Sequence, residues 1–274
     1  MPGRGPASFQ IEGGRTPVYQ FFVESGQINL PDKKVIILGS DVNHIKNVLR
    51  MKPGEELNVS NGQDGKEYRC GIVALEEERI ICELRFVKED NVELPSKIYL
   101  FQGLPKADKM ELIIQKAVEL GVHQVIPVST KRCVVKLDDK KAASKIARWQ
   151  GIAEAAAKQS KRGIIPEISG VMSLPQAVEM ASRMDVRLIP YELAEGMQRT
   201  KSILNGLKPG QDIAVFIGPE GGFEESEIQL AMENGIEPVT LGKRILRTET
   251  AGMAVLAWIM YALEGSEEVI PAGE

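Results

Sequence analysis

The 274-residue sequence predicts an α/β protein in two parts, a small β-barrel followed by a domain built on a parallel sheet. Three observations carry that prediction. Short strand-like segments separated by turn signals fill residues 17–90. Beyond residue 97, apolar runs alternate with helix-spaced segments, as in a parallel sheet covered by helices on both faces. Near the C-terminal end the apolar run 213–217 breaks into Gly218-Pro219-Glu220-Gly221-Gly222. Such a break is a buried strand emptying into a loop whose backbone can approach a ligand closely.

Composition narrows the function classes. Hydrophobic content of 43% and charged content of 26% describe an ordinary globular chain, and the net charge of −4 gives no global field that would attract nucleic acid. Three cysteines, Cys70, Cys82 and Cys133, lack CxxC spacing, which argues for a reducing compartment and against a disulfide framework or a zinc site. The two histidines, His44 and His123, are far apart, so no metal site is expected. The longest apolar run falls short of the ~20 residues a membrane span needs. Residues 1–16, rich in Gly and Pro, lack the apolar core of a signal peptide and read as a disordered extension. A cytoplasmic protein is expected.

Taken in order, the first part carries strand segments at 18–23, 34–38, 56–60, 67–75 and 80–87, with Asn61-Gly62 and Asp64-Gly65 as turn signals. One helix is expected over 41–51, where Val42, Ile45, Val48 and Leu49 share a face. Many short strands around one helix suggest a small barrel. Residues 17–96 hold ten basic and fourteen acidic side chains, so any RNA contact there must come from a local cluster, with Lys46, Arg50 and Lys52 the candidates. The polar stretch 89–96 reads as a linker. A strand at 97–102, a helix at 108–120 stopped by Gly121 and a strand at 125–128 follow. Residues 131–162 then place ten basic side chains against three acidic ones, a net of +7 on an acidic chain, and this reads as a phosphate-binding strip. Lys141, Lys145 and Arg148 share one helical face there, and Ile146, Trp149 and Ala153 line another.

Three strand ends, at Arg187 to Glu192, at Gly218 and at Leu241-Gly242, could meet at one edge of the sheet, where ligands of open parallel sheets bind. The loop is neither a P-loop nor a GxGxxG turn. Glu220 lies within it, and Glu224, Glu225 and Glu227 open the following helix. That is a poor cradle for a di- or triphosphate but tolerates a neutral adenosine or a cationic sulfonium. The cofactor that fits is S-adenosyl-L-methionine. The helix over 250–263 is apolar around nearly its whole circumference, which calls for cover by a second copy of the chain, a homodimer.

The wording of two segments goes further. Ile217-Gly218-Pro219-Glu220-Gly221-Gly222-Phe223, followed by Leu241-Gly242-Lys243-Arg244-Ile245-Leu246-Arg247-Thr248-Glu249-Thr250-Ala251, closely resembles the 16S ribosomal RNA uridine-N3 methyltransferase family, of the SPOUT or α/β-knot class. Gln20-Phe21-Phe22-Val23 and the run from His44 to Gly54 resemble that family's PUA-like RNA-binding domain, although the family usually has arginine where Gln20 stands. Gly103 to Lys106 and Lys109 to Val122 also look like family sequence, and Lys161 stands where a glycine is common. The resemblance implies a PUA-like barrel over 17–90 and a SPOUT α/β domain over 97–274 with a C-terminal deep trefoil knot. It implies that Pro190, Tyr191 and Glu192, then Ile217, Gly218, Pro219, Gly221 and Gly222, then Leu241, Gly242, Ile245, Leu246 and Arg247 hold the adenosyl group. It also implies that Arg132, Lys136, Arg148 and Arg162 lie on the RNA side, with 16S RNA of the 30S subunit as partner. Arg247 and Arg132 are the candidates to stabilise a uridine anion, and Glu249 the candidate to take the proton. The alternatives are a SPOUT methyltransferase with another RNA target and a non-catalytic RNA-binding module.

Overall fold

A computed structural model describes residues 18–89, 92–192, 194 and 196–264 of the chain. The proposed extension, residues 1–16, lies outside the described residues. The chain divides into two compact units: the residues up to Ser60 together with Glu67–Lys88, and Asn61–Lys66 together with the residues from Glu89 onward.

In the first unit, β1 (Gln20–Phe22), β2 (Ile28–Asn29), β3 (Lys34–Leu38), β4 (Glu56–Ser60), β5 (Glu67–Leu75) and β6 (Arg79–Lys88) form one sheet in the order β1-β4-β5-β6-β3-β2. The β1–β4 pair is parallel and the other four pairs are antiparallel. Period-two alternation buries Ile80, Cys82 and Leu84 of β6 against Val35, Ile37, Leu57, Val59 and Cys70, so one face makes the core. Among the described residues the ladder ends at β1 and β2, which makes this an open curled sheet rather than a closed barrel. The expected helix over 41–51 is a short turn, α1 (Ser40–Asn43), continued by a π-helical turn at His44–Val48. Arg50, at φ +54, lies outside helical space and ends it.

The second unit carries a parallel sheet. Its strands are β7 (Lys97–Gly103), β8 (Gln124–Ser129), β9 (Glu167–Ile168), β10 (Met172–Ser173), β11 (Val186–Pro190), β12 (Asp212–Ile217) and β13 (Glu237–Val239). They run in the order β10-β8-β7-β12-β11-β13, with β9 paired to β8, and every pairing is parallel. Among the described residues six helices cover it: α2 (Lys109–Glu119), α3 (Asp139–Gln159), α4 (Leu174–Ala181), α5 (Met197–Asn205), α6 (Glu225–Glu233) and α7 (Thr248–Glu264). α4 and α6 pack with Phe101, Ile126, Ala214 and Phe216 on one face, where the Phe101 and Phe216 rings stack at 4.4 Å. α2 packs against both α3 and α7, and α7 also meets β12 and α5. Alternate strand residues point to each layer, so Phe101 enters the first core while Gln102 turns toward α7. No helix among the described residues is long and apolar enough to cross a membrane.

Candidate cofactor and catalytic site

Because every strand of the second sheet is parallel, the loops after β7, β8, β11, β12 and β13 all leave by the same edge. The loop after β12 is a tight glycine turn. Ile217 is buried, and the Gly222 N–H donates to the Pro219 carbonyl at 2.9 Å to close a turn. Gly222 has φ +67, and a Cβ there would meet nothing within 4 Å. The loop thus presents bare backbone toward open space at that point. Beneath it, Gly103 at the end of β7 is a close-approach glycine, since a Cβ there would lie 2.6 Å from Pro219 Cδ and 2.7 Å from Pro219 N.

The start of α6 is filled by its own acids. The Glu224 N–H donates to Glu227 Oε2 at 2.8 Å, and the Lys131 N–H donates to Glu227 Oε1 at 2.8 Å. Glu227 is buried by these contacts. A phosphate would therefore meet fixed carboxylates at this helix terminus, in line with the charge argument made from sequence.

Two neighbouring loops grip this turn. After β8, Arg132 donates from Nε to Glu224 Oε1 at 2.7 Å and from a terminal nitrogen to the Gly221 carbonyl at 2.9 Å. The hydrogen bond to Glu224 raises the Arg132 pKa further, and in return holds the Glu224 carboxyl below its ordinary value. After β7, the Lys106 N–H donates to Glu220 Oε1 at 3.1 Å, while Lys109 Nζ sits 3.1 Å from Glu220 and 3.4 Å from Glu249 Oε2 in the first turn of α7. Partial burial pushes the Glu220 carboxyl upward, but backbone N–H groups and Lys109 outweigh it and leave the pKa lowered.

The other expected cofactor residues lie along the same edge. Pro190 ends β11 and is half-buried, the Tyr191 N–H donates to the Val239 carbonyl at 3.0 Å, and Glu192 is exposed. Leu241, Gly242 and Leu246 are half-buried, whereas Ile245 is 82% exposed, so its side chain is no part of the packed wall. Arg247 is exposed, and its carbonyl accepts the Ala251 N–H at 2.8 Å as α7 begins.

The expected RNA residues separate into groups. Arg50, Lys52 and Lys136 are exposed. Lys46 donates to the Glu76 carbonyl at 2.7 Å, and Arg148 pairs with Glu111 at 2.9 Å. Arg162 departs from expectation. Only 3% exposed, it donates to the Val118 and Val122 carbonyls and to the Glu93 carboxylate. Its charge is spent inside the fold, which removes it from the expected RNA-facing strip. Glu93 in turn belongs to the polar stretch expected to be a linker. Among the described residues, no group of three or more His, Cys, Asp or Glu could hold a metal.

Sequence reasoning assigned no role to Gln102 or Thr248. Gln102 is fully buried, and its Nε2 donates to the Gly103 carbonyl at 2.9 Å and to Thr248 Oγ1 at 3.0 Å. The Thr248 hydroxyl donates onward to the Gly218 carbonyl at 2.6 Å. The available signal was an amide closing an otherwise apolar strand just before a glycine.

Comparison with known proteins agrees with this architecture. An RNA methyltransferase domain family matches residues 92–260, and an RNA methyltransferase PUA domain family matches residues 37–85. The chain is 37% identical over 249 residues to the ribosomal RNA small subunit methyltransferase E of Bacillus subtilis, covering 89% of this chain and 97% of that protein. A methyltransferase from Legionella pneumophila, solved with bound S-adenosylmethionine, superposes with a TM-score of 0.78 at 34% identity, over 90% of this chain and 98% of that one. The ribosomal RNA small subunit methyltransferase E of Neisseria gonorrhoeae, also bound to S-adenosylmethionine, gives 0.74 at 33% identity, over 88% and 96%. With one RNA methyltransferase family spanning most of the second unit and a curated relative matching along nearly its whole length, the chain belongs to the ribosomal RNA small subunit methyltransferase E family.

Proposed function

We propose that this chain is an S-adenosylmethionine-dependent methyltransferase that methylates N3 of a uridine in the 16S RNA of the small ribosomal subunit. The observation that carries the reading is the glycine turn Gly218–Gly222, set at the common exit edge of a parallel sheet beside a helix terminus already filled by carboxylates. That edge suits an adenosyl group with a sulfonium and disfavours a polyphosphate. Two relatives at 33–34% identity hold the same cofactor.

S-adenosylmethionine would supply an electrophilic methyl group on a cationic sulfur. The residues to hold it are Pro190 and Tyr191 after β11, Gly218, Pro219, Gly221 and Gly222 after β12, and Leu241, Gly242 and Leu246 after β13. The chain's task is then alignment and charge stabilisation. Uridine N3 carries a proton, and its removal leaves charge on O2 and O4, which nearby cations would favour. Arg132 and Arg247 are assigned that role and Glu249 the proton. Arg132 is already latched to the cofactor loop, so turn and cation would be set together. Arg50 and Lys52 in the first unit, and Lys136 with the α3 lysines in the second, would meet phosphate. Residues 17–90 would act as the RNA-binding part and 97–274 as the catalytic part, with the C-terminal segment closing a trefoil knot.

The unit acts as a homodimer in this reading. Met253, Trp258 and Met260 of α7 are only half-buried within one chain and Tyr261 is 80% exposed, an apolar face that a two-fold partner would cover. Light scattering should return about twice the 30.1 kDa chain mass. The deciding experiment incubates the protein with 30S subunits or naked 16S RNA and methyl-labelled cofactor, then identifies the labelled nucleoside. N3-methyluridine is expected. Label on another nucleoside would reject the target, and no transfer together with no cofactor binding would reject the enzyme.

A further inference from the structure

The buried polar chain behind the cofactor loop has a role that packing alone does not explain. Gln102 closes β7, a strand whose other inward positions are apolar, and it is fully buried. Both of its amide hydrogens are used, one on the Gly103 carbonyl and one on Thr248 Oγ1, while its Oε1 is buried without a hydrogen-bond partner. Burying an amide this way is tolerated where its fixed bonds outweigh the unsatisfied oxygen. Thr248, itself buried, is the first residue of α7 and passes its hydroxyl hydrogen to the Gly218 carbonyl. Three stretches of chain are thereby joined in one line: the end of β7, the first peptide of the glycine turn and the N-terminal end of α7. The same turn is pressed from below by Gly103, where no Cβ fits against Pro219.

We infer that Gln102 and Thr248 act as one positioning unit, setting the Gly218 peptide plane in register with the segment that enters α7. The consequence is directional. The Gly218 carbonyl precedes Pro219, and the turn Pro219–Gly222 inherits its orientation from that peptide, including the bare backbone at Gly222. Thr248 directly follows Leu241–Arg247, the other proposed cofactor segment. A single hydroxyl thus fixes the two loops relative to each other, and cofactor affinity depends on that spacing more than the stability of either loop does. Neither side chain is a catalytic residue, since both act through the backbone they hold.

The inference rests on the cofactor reading above, and the test separates the two. Affinity for S-adenosylmethionine would be measured by calorimetry on the full chain and on Thr248→Val, Thr248→Ser, Gln102→Met and the Gln102→Met/Thr248→Val pair. Valine keeps the shape of threonine and removes the donor, whereas serine keeps the donor. Thr248→Val and Gln102→Met should each weaken binding about tenfold, serine should stay within about twofold, and the double variant should be no weaker than the worse single one. Unchanged affinity in Thr248→Val, a serine variant as weak as valine, or additive losses in the double would each overturn the positioning unit. Should Gln102→Met fail to fold, the valine and serine pair decides alone. Binding by the unaltered chain with no effect in the variants rejects only this inference, whereas no binding by the unaltered chain rejects it together with the cofactor reading.

Discussion

Replacing Arg162 by methionine separates a structural cation from an RNA contact, because the two roles predict different losses. Its side chain is 4% exposed, and the Glu93 side chain facing it is 11% exposed. Removing the cation leaves the Glu93 carboxylate with the Ile164 N–H at 3.2 Å, and leaves the Val122 carbonyl without the 2.7 Å donor it has now. Breaking a buried ion pair from one side costs about 3–5 kcal/mol, because the surviving charge stays buried after losing its counter-charge. For a unit of this size each kcal/mol moves the midpoint by roughly 2–4 °C, so a drop of about 6–20 °C is expected. The Arg162→Met/Glu93→Met double variant should recover part of that loss, since no charge is then left stranded. Thermal and urea unfolding of the two variants would measure both effects. A single variant as stable as the parent but deficient in RNA binding would refute the structural assignment and return Arg162 to the surface strip.

Three further outcomes follow from the same geometry. Gly222→Val forces a β-branched side chain to φ +67 and points it into the open space before the turn, so S-adenosylmethionine binding should be lost while circular dichroism is retained. Reversing Lys136, Lys140 and Lys145 to Glu avoids the Arg148–Glu111 and Lys141–Asp138 pairs, and it should lower the salt slope of RNA binding by about 2 while sparing cofactor affinity. Glu220 has a lowered pKa, so its contribution is present above the ordinary carboxylate range and lost as pH falls through the folded value. Lys109→Met should accordingly be less stable than the parent at pH 7, and thermal midpoints of the two should converge on acidification through the lowered Glu220 titration, below the ordinary carboxylate range.

What could be read from the sequence depended on whether the signal was local. The apolar run into Gly218–Gly222, the acids opening α6 and the helix carrying Trp149 and Ala153 are local patterns, and each took the expected form. β2, β9 and β10 span two residues each, too short for any period to appear. The expected barrel is an open sheet among the described residues because closure depends on which distant strands pair. Arg162 misled for the same reason. Counted with its neighbours it is one of ten bases, yet its partner Glu93 lies 69 residues earlier in a stretch that looks like linker. Gln102 and Thr248, 146 residues apart, have meaning only once their strand and helix are packed together.

The acidity of the proposed cofactor loop, which first pointed away from phosphate, is matched by partners at Glu220, Glu224 and Glu227. Glu220 is held by the loop after β7, through the Lys106 N–H and Lys109. Glu224 and Glu227 are held by the loop after β8, through the Arg132 side chain and the Lys131 N–H. Glu220, Glu224 and Glu227 are therefore handles by which the loops after β7 and β8 fix this segment, and a carboxylate so engaged is set in direction as well as charge. This explains how a segment with two adjacent glycines, costly in backbone entropy, can be held in one conformation. Arg132 joins the two halves of the proposed chemistry: it stiffens the turn that would hold the methyl donor and lies on the loop that leads into the basic helix α3. A substitution there would be felt in cofactor binding and in RNA methylation at once, whereas a change at Lys136, farther along the same loop, would touch the RNA side alone.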